Sequence, residues 1–353
     1  MQQLAEAWRK LVAETEVSDE VSVPGSGLVA FGSFAFADDS ESESVLIVPQ
    51  VLLGSRDGVR WLTRVGDAES QNFWDAAQTY RPNVTITLSD GLQTSDGFMQ
   101  SVREAKSQIE NDRVKKVVLA RDLVATVPDD FDIRTALHRL ATKYPSCWTY
   151  SVDGLFGASP ELLVRVSHKQ VSARVLAGTA GRGTDPGVDF AISTALAASS
   201  KNIAEHRFAV QSLVDELEKF CSQVDADSEP FSLQLPNLWH LASDVHAILK
   251  DDASVLDLAA VLHPTAAVAG TPTIEARKLI SELEPFDRGR YAGPVGWIGA
   301  DGDGEWAIAL RGALLQENQL TAFAGCGIVA ESEPLAELEE TELKFKPIRE
   351  ALA

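Results

Sequence analysis

The chain opens on MQQLAEAWRKLVAE, where apolar positions recur at helical spacing between charges, so an amphipathic helix is expected. The pattern then changes to short apolar runs bounded by Gly, Asp or Ser. GLVAFGSFAF (27–36), VLIVPQVLLG (45–54) and GVRWLTRVG (58–66) read as strands, with the acidic DDSESES (38–44) as an exposed loop. FMQSVREAKSQIEND (98–112) returns to helical spacing, and VKKVVLARDLVATV (114–127) follows as a strand that stops at Pro128. A helix over IRTALHRLATKY (133–144) leads to a hairpin-like pair across CWTYSVDGLFGASPELLVRV (147–166). The glycine-rich LAGTAGRGTDPG (176–187) reads as a connection to a long helical stretch over 188–221. The last third predicts helices at 255–262 and 274–283 around the turn HPTAAVAGTP (263–272). Strands follow at GPVGWIGA (293–300), EWAIALRGALL (305–315) and LTAFAGCGIV (320–329), and an acidic helix begins at Pro334. Helices and strands come in groups instead of alternating strictly, which predicts an α+β fold with extended antiparallel sheets flanked by helices. No short repeat or linker divides the chain, so one domain over residues 1–353 is expected.

Composition adds limits. With 45% hydrophobic and 24% charged residues over 353 positions, the chain is that of an ordinary globular protein able to bury a core. The net charge of −21 argues against nucleic acid or an anionic membrane surface as partner, since both require a basic footprint. An anionic substrate would need local cations or a bound metal. The three cysteines, Cys147, Cys221 and Cys326, are widely spaced without a CxxC pattern, so neither a disulfide framework nor a zinc site is indicated. The start has no uninterrupted apolar core of a signal peptide, no later stretch reaches the length of a membrane span, and a cytoplasmic protein is expected.

Several stretches carry candidate chemistry, each with a plainer alternative. On a strand, Lys116 shares a face with Val118, and Lys115 faces the other way; a lysine among buried β-branched residues can lose its proton, whereas an edge lysine only guards the sheet. Glu161, just after Ser159-Pro160, opens an apolar strand and is either a buried acid with a raised pKa or a satisfied turn residue. LAGTAGRGTDPG lacks the Gly-Lys-Ser/Thr ending of a phosphate loop, but its backbone N–H groups can still cradle a carboxylate. On the helix that follows, Glu205 falls on one face with Phe208, Ala209 and Ser212, in partly apolar company, and suits Mg²⁺ as an oxygen ligand. Arg311, inside an apolar strand, needs an anion: a structural carboxylate or that of a substrate. After Pro334, Glu337, Glu340, Thr341 and Lys344 share one helical face, which either holds a divalent cation or is a solvated face with a weak ion pair.

KVVLAR, GASPELLVR, LAGTAGRG, KNIAEH, HPTAAVAGTP, FDRGRYAGPVGW, ALRGA and AGCGIVAESEPLAELEETELK come in the order and rough spacing of the chorismate-utilising enzymes, and the chain resembles the isochorismate synthases among them. The resemblance covers about 97–347 well and 1–96 only in general character. It implies one α+β domain with the active site in a cleft and Mg²⁺ holding the chorismate carboxylate. Glu205 and Glu340 are then metal ligands, with Glu337 supporting the metal directly or through water. Arg311 and Lys344 bind substrate carboxylate; Gly178, Thr179, Ala267, Val268, Tyr291, Leu310, Gly325, Cys326 and Gly327 line the substrate. Lys116 resembles the base that activates water, and Glu161 the acid that protonates the departing hydroxyl. In the amine-transferring relatives the position of Lys116 is generally not lysine. Asn202, where aspartate is common, Leu338, where an aromatic is frequent, and Cys326, where alanine is usual, depart from the family pattern. The implied product is isochorismate, for menaquinone or siderophore synthesis, from a monomer acting on a small molecule. A salicylate synthase, which goes on to expel pyruvate, is the alternative, and a non-catalytic acidic binding protein a more distant one.

Overall fold

The computed structural model describes residues 1–66, 85–250 and 253–353, apart from the side chains of Lys201 and Glu205. Its first part holds α1 (Gln2–Glu14), β1 (Val29–Ser33), β2 (Val45–Ile47), β3 (Val51–Arg56), β4 (Val59–Arg64) and β5 (Ser89–Asp90). The middle runs through α2 (Ser95–Glu110), β6 (Lys116–Thr126), α3 (Ile133–Lys143), β7 (Trp148–Val152), β8 (Leu155–Ser159), β9 (Leu162–Ser167) and β10 (Gln170–Gly181). Next come α4 (Pro186–Ala198), α5 (Ser200–Phe220), β11 (Cys221–Ala226), β12 (Phe231–Gln234) and β13 (Leu238–Leu249). The chain ends with α6 (Val255–Leu262), β14 (Gly270–Thr271), α7 (Thr273–Leu283), β15 (Pro294–Gly299), β16 (Gly304–Ile308), β17 (Gly312–Gln316), β18 (Gln319–Ile328) and α8 (Pro334–Leu352).

Two antiparallel sheets organise these elements, as the grouping of strands predicts. One runs β11-β13-β10-β9-β16-β15-β1-β2 with β12 beside β13; the other runs β14-β6-β18-β17-β8-β7 with β5 beside β6. They meet where Tyr150, Val152 and Leu155 pack against Val295, Ala307 and Ala309. α3 and α8 cover the second sheet, burying Leu140, Phe345 and Ile348 with Leu123 and Phe156. The helical spacing in 98–112 is realised by α2, which buries Phe98, Ser101, Val102 and Ala105 one turn after another. Its first turn is capped by Thr94, whose side chain accepts from Gly97 N.

The structure corrects the sequence pattern in several places. The run 305–315 is two strands in two sheets: Arg311 adopts φ 53°, a left-handed turn hidden inside an unbroken apolar run. VLIVPQVLLG divides into β2 and β3 around Pro49, which has no N–H to give a ladder. The hairpin over 147–166 is β7 and β8 only, with β9 beginning beyond Pro160 in the other sheet. LAGTAG belongs wholly to β10, which bulges between Ala177 and Thr179, where Gly178 takes φ 84°. The helical stretch 188–221 breaks at Ser199, whose hydroxyl caps α5 by accepting from Asn202 N. β11, β12 and β13 were not anticipated from the sequence. The polar residues of β13 disguise a strand that pairs along nearly its whole length with β10.

Candidate active site

Two strand crossings between the sheets create the site. The chain leaves β8 for β9 through Pro160 and Glu161, and leaves β16 for β17 through Ala309, Leu310 and Arg311. Because β8 pairs with β17 and β9 with β16, the crossings run side by side. Ile308 N donates to Glu161 O (3.1 Å) and Ala158 N to Arg311 O (3.3 Å), so backbone bonds fix both corners. The carboxyl and the guanidinium are thereby delivered to one cavity of about 190 Å³.

Lys116 enters the same cavity from the start of β6, with Val118 on the same face and Lys115 turned outward into an ion pair with Asp112. The strand is held by β14, where Thr271 pairs with Lys116, and by β18. On β18, a Cβ at Gly327 would lie 2.6 Å from Lys116 Cε, so the missing side chain leaves the lysine its path. Gly325 also lines the cavity, where a Cβ would meet Leu119 O at 2.7 Å. Cys326 does not line it: it is buried, its thiol donating to Glu337 O (3.5 Å). Alternation along β18 sends its side chain to the other face, so a substrate contact at Cys326 falls to its backbone, as expected of Gly325 to Gly327.

Gly178 and Thr179 line the cavity at the bulge of β10, Ala267 and Val268 from the turn before β14, and Tyr291 and Leu310 from the segments preceding β15 and β17. From α8, Glu337, Glu340 and Lys344 line it as well. Thr341, the fourth residue expected on that face, is buried beside Arg121 and donates to Leu338 O (2.7 Å). Lys344 Nζ bonds Glu340 Oε1 (2.7 Å) and Gly325 O (2.7 Å). α5 carries Glu205, whose side chain lies outside those described; of its neighbours on the expected face, Phe208 is 74% exposed and Ala209 packs against the core.

The charges explain themselves by burial. Glu161 is 6% exposed, and burial pushes its carboxyl up to about 7 against the opposing pull of Arg311, Lys116 and Lys344. At that value it is partly protonated near neutral pH, as a proton donor must be. Burial lowers Arg311, which makes no salt bridge among the described residues; its hydrogen bond is to His240 Nε2 (3.4 Å). The structural carboxylate allowed for Arg311 is therefore not what it meets among the described residues, and the guanidinium faces the cavity in need of an anion. Burial, with Arg311 and Lys344 adding, holds His240 well below its ordinary value. Its Nδ1 lies 3.3 Å from Gly178 O and 3.2 Å from Thr179 Oγ1, so as a donor there it leaves Nε2 free to accept from Arg311. Burial raises the Glu337 carboxyl, and neighbouring Glu340 raises it further while the Ser332 hydroxyl bond lowers it. Two carboxylates one turn apart, one of them sunk in the cavity wall, are the oxygen donors a hard divalent cation takes.

Sequence reasoning missed His240, Arg288 and Ser332, which also line the cavity. Arg288 forms a buried pair with Glu284 (2.6 Å) and donates to Val268 O and Val118 O; Glu284 in turn accepts from Ala120 N. That knot ties the strand of Lys116 to the turn of Ala267 and Val268, and breaking such a buried pair costs about 3–5 kcal/mol. Nothing local in LWHLASDVHAIL singles out His240, whose place shows only once β13 is paired with β10; the arginines flanking Gly289 pointed to Arg288.

Two facing antiparallel sheets whose crossings present an acid and a guanidinium opposite a strand-borne lysine define the class of the molecule. The profile of the family described as chorismate binding enzyme matches residues 1–353, and the chain belongs to that family. It is 42% identical over 344 residues to a putative isochorismate synthase MenF of Mycobacterium tuberculosis, covering 93% of this chain and 87% of that protein. Its fold is similar to that of a putative 2,3-dihydroxybenzoate-specific isochorismate synthase, DhbC, from Bacillus anthracis, with TM-score 0.81, 30% identity, and 99% and 88% of the two chains covered. MenF, the menaquinone-specific isochorismate synthase of Escherichia coli, is similar with TM-score 0.80 and 26% identity, over 92% of this chain and 79% of that one.

Proposed function

We propose that the protein is an isochorismate synthase, converting chorismate to isochorismate with Mg²⁺ as cofactor, and that residues 1–353 act as one chorismate-binding unit. The observation that carries this reading is the meeting of Lys116, from the start of β6, and Glu161, from the crossing between β8 and β9, in one cavity that Arg311, Lys344 and the carboxylates of α8 also line. The named relatives support the same activity. Lys116 takes a proton from water as it adds to one ring carbon. The ring's allylic electrons shift, the bond to the hydroxyl on another carbon breaks, and Glu161 protonates the oxygen that leaves. Arg311 and Lys344 receive substrate carboxylate, supplying local positive charge in a chain of net charge −21. Gly178, Thr179, Gly325 and Gly327 let the ring approach backbone, with Ala267, Val268, Leu310 and Tyr291 shaping its walls.

Glu337 and Glu340, with Glu205 of α5, are the residues that would hold Mg²⁺; when bound it neutralises and orients a substrate carboxylate. A cytoplasmic monomer is part of the same reading; the free cysteines Cys147, Cys221 and Cys326 are what a reducing compartment keeps. The similar proteins are assigned both to 2,3-dihydroxybenzoate and to menaquinone synthesis, and either use suits the product. Purified protein given chorismate and Mg²⁺ is expected to release isochorismate at early times, reversibly, and to give no anthranilate or aminodeoxychorismate with ammonium. Salicylate and pyruvate formed at the enzymatic rate, against an enzyme-free isochorismate control, would establish a salicylate synthase instead; no Mg²⁺-dependent turnover would leave a binding protein.

A further inference from the structure

Glu161 faces two chambers. Besides the substrate cavity it lines a second cavity of about 300 Å³, which lies between β9, β10, α5, the start of α7 and the turn after α6. Ser212 and Ile274 on the wall of this chamber are exposed, so it communicates with solvent between α5 and α7. Two of its polar atoms, Thr265 Oγ1 and His263 Nδ1, are buried without a hydrogen-bond partner among the described residues. His263 Nε2 lies 3.1 Å from Phe36 O and donates to it, which leaves Nδ1 an acceptor. Buried orphan groups around a cavity of this size are what ordered water satisfies. The Glu161 carboxyl itself has no hydrogen bond or ion pair within the described residues, although it is buried.

Resting on the isochorismate synthase reading, we infer that the second chamber is a water-filled proton conduit that resets Glu161 after each turnover. The balance of the reaction requires such a reset. One water adds and one leaves: the new C–O bond uses the electron pair of the attacking water, whose proton goes to Lys116 Nζ. The old C–O bond breaks with its pair on oxygen, which takes the proton of Glu161 and departs as water. The enzyme is left with a charged Lys116 and an ionised Glu161, so a proton must leave the first and another reach the second. Substrate or product in the first cavity separates the two groups. The second chamber touches Glu161 from behind and reaches solvent past Thr265, and protons pass along its water without crossing the ring.

Blocking the conduit slows the reset and leaves the capture and conversion of substrate intact. Val261→Phe, which fills the chamber from α6, and Thr265→Val, which removes the orphan hydroxyl at nearly constant shape, are expected to lower kcat about tenfold while kcat/KM stays within about twofold. The solvent isotope effect on kcat should rise in both, and Thr265→Ser should restore kcat. Equal losses in kcat and kcat/KM, unrelieved by Thr265→Ser, would mean packing damage and overturn the inference, as would unchanged kcat in both variants. A crystal structure at atomic resolution tests the chamber without any turnover: the inference expects ordered waters from Glu161 past Thr265 to the rim, and a dry chamber refutes it even if isochorismate is made. If the waters are present but chorismate is not converted, the failure lies with the assigned reaction.

Discussion

The two strand crossings and the two carboxylate helices bring charge into one cavity by different means. At the crossings, Glu161 and Arg311 project from corners locked by backbone hydrogen bonds between paired strands, and burial sets the protonation of the acid. On α8, Glu337 and Glu340 project from one helical turn, and the charge they share is relieved within the described residues by Lys344, which bonds Glu340. The crossings hold a buried carboxyl raised to about 7 and a buried guanidinium that makes no salt bridge among the described residues. The helix face, on the proposed reading, is completed by a cation. On the proposed reading, proton transfer belongs to the strand crossings and metal binding to the helices.

The largest effect should come from the helix side. Glu340→Gln is expected to abolish turnover and weaken Mg²⁺ binding in calorimetric titration, with an unchanged melting temperature; full activity in chelated buffer would break the distinction between the two regions. At the crossings, Glu161→Gln should lower the rate about 10²–10⁴-fold, as should Lys116→Ala on the facing strand, both with Mg²⁺ binding retained. Because the acid works protonated, the limb of kcat/KM that it governs falls as pH rises through about 7.

The same carboxyl links activity to stability. Its folded value of about 7 exceeds the ordinary 4.5, so the folded state binds more protons and stability falls as pH rises between those values. Glu161→Gln should therefore be more stable than the parent at pH 8, by up to about 3 kcal/mol, and gain nothing from this source at pH 4, as thermal or urea unfolding would show. Arg311→Gln removes the anion partner at the second crossing and should raise KM on the order of 30-fold, the equivalent of about 2 kcal/mol. The smallest change is Gly327→Ala: its methyl displaces Lys116 near Cε, and kcat should drop about tenfold with KM for Mg²⁺ unaltered.

These regions were unequally legible in the sequence. Lys116 with Val118 on one face and the helical spacing of α2 and α8 follow from period and residue type, and the structure has them. The crossings were not legible as crossings. EWAIALRGALL is apolar throughout, and nothing local shows that Arg311 turns left-handed and passes the chain between sheets. Pairing of β8 with β17 and of β9 with β16 joins segments more than 130 residues apart, a relation that local periodicity does not contain. For the same reason β13 and its His240 escaped: alternating polar residues look like surface until β10 is laid beside them. Most of the site came instead from motif order, which names residues without saying how they meet; Cys326 shows the difference, being within a lining motif yet turned to the far side of its strand.

The central claim is that water enters on the Lys116 side while the original hydroxyl leaves on the Glu161 side. Early-time turnover of unlabelled chorismate in H₂¹⁸O, with the product analysed by mass spectrometry, tests it most directly. One ¹⁸O atom per isochorismate, located in the new hydroxyl, is predicted; isochorismate that retains the original oxygen would contradict the two-sided mechanism.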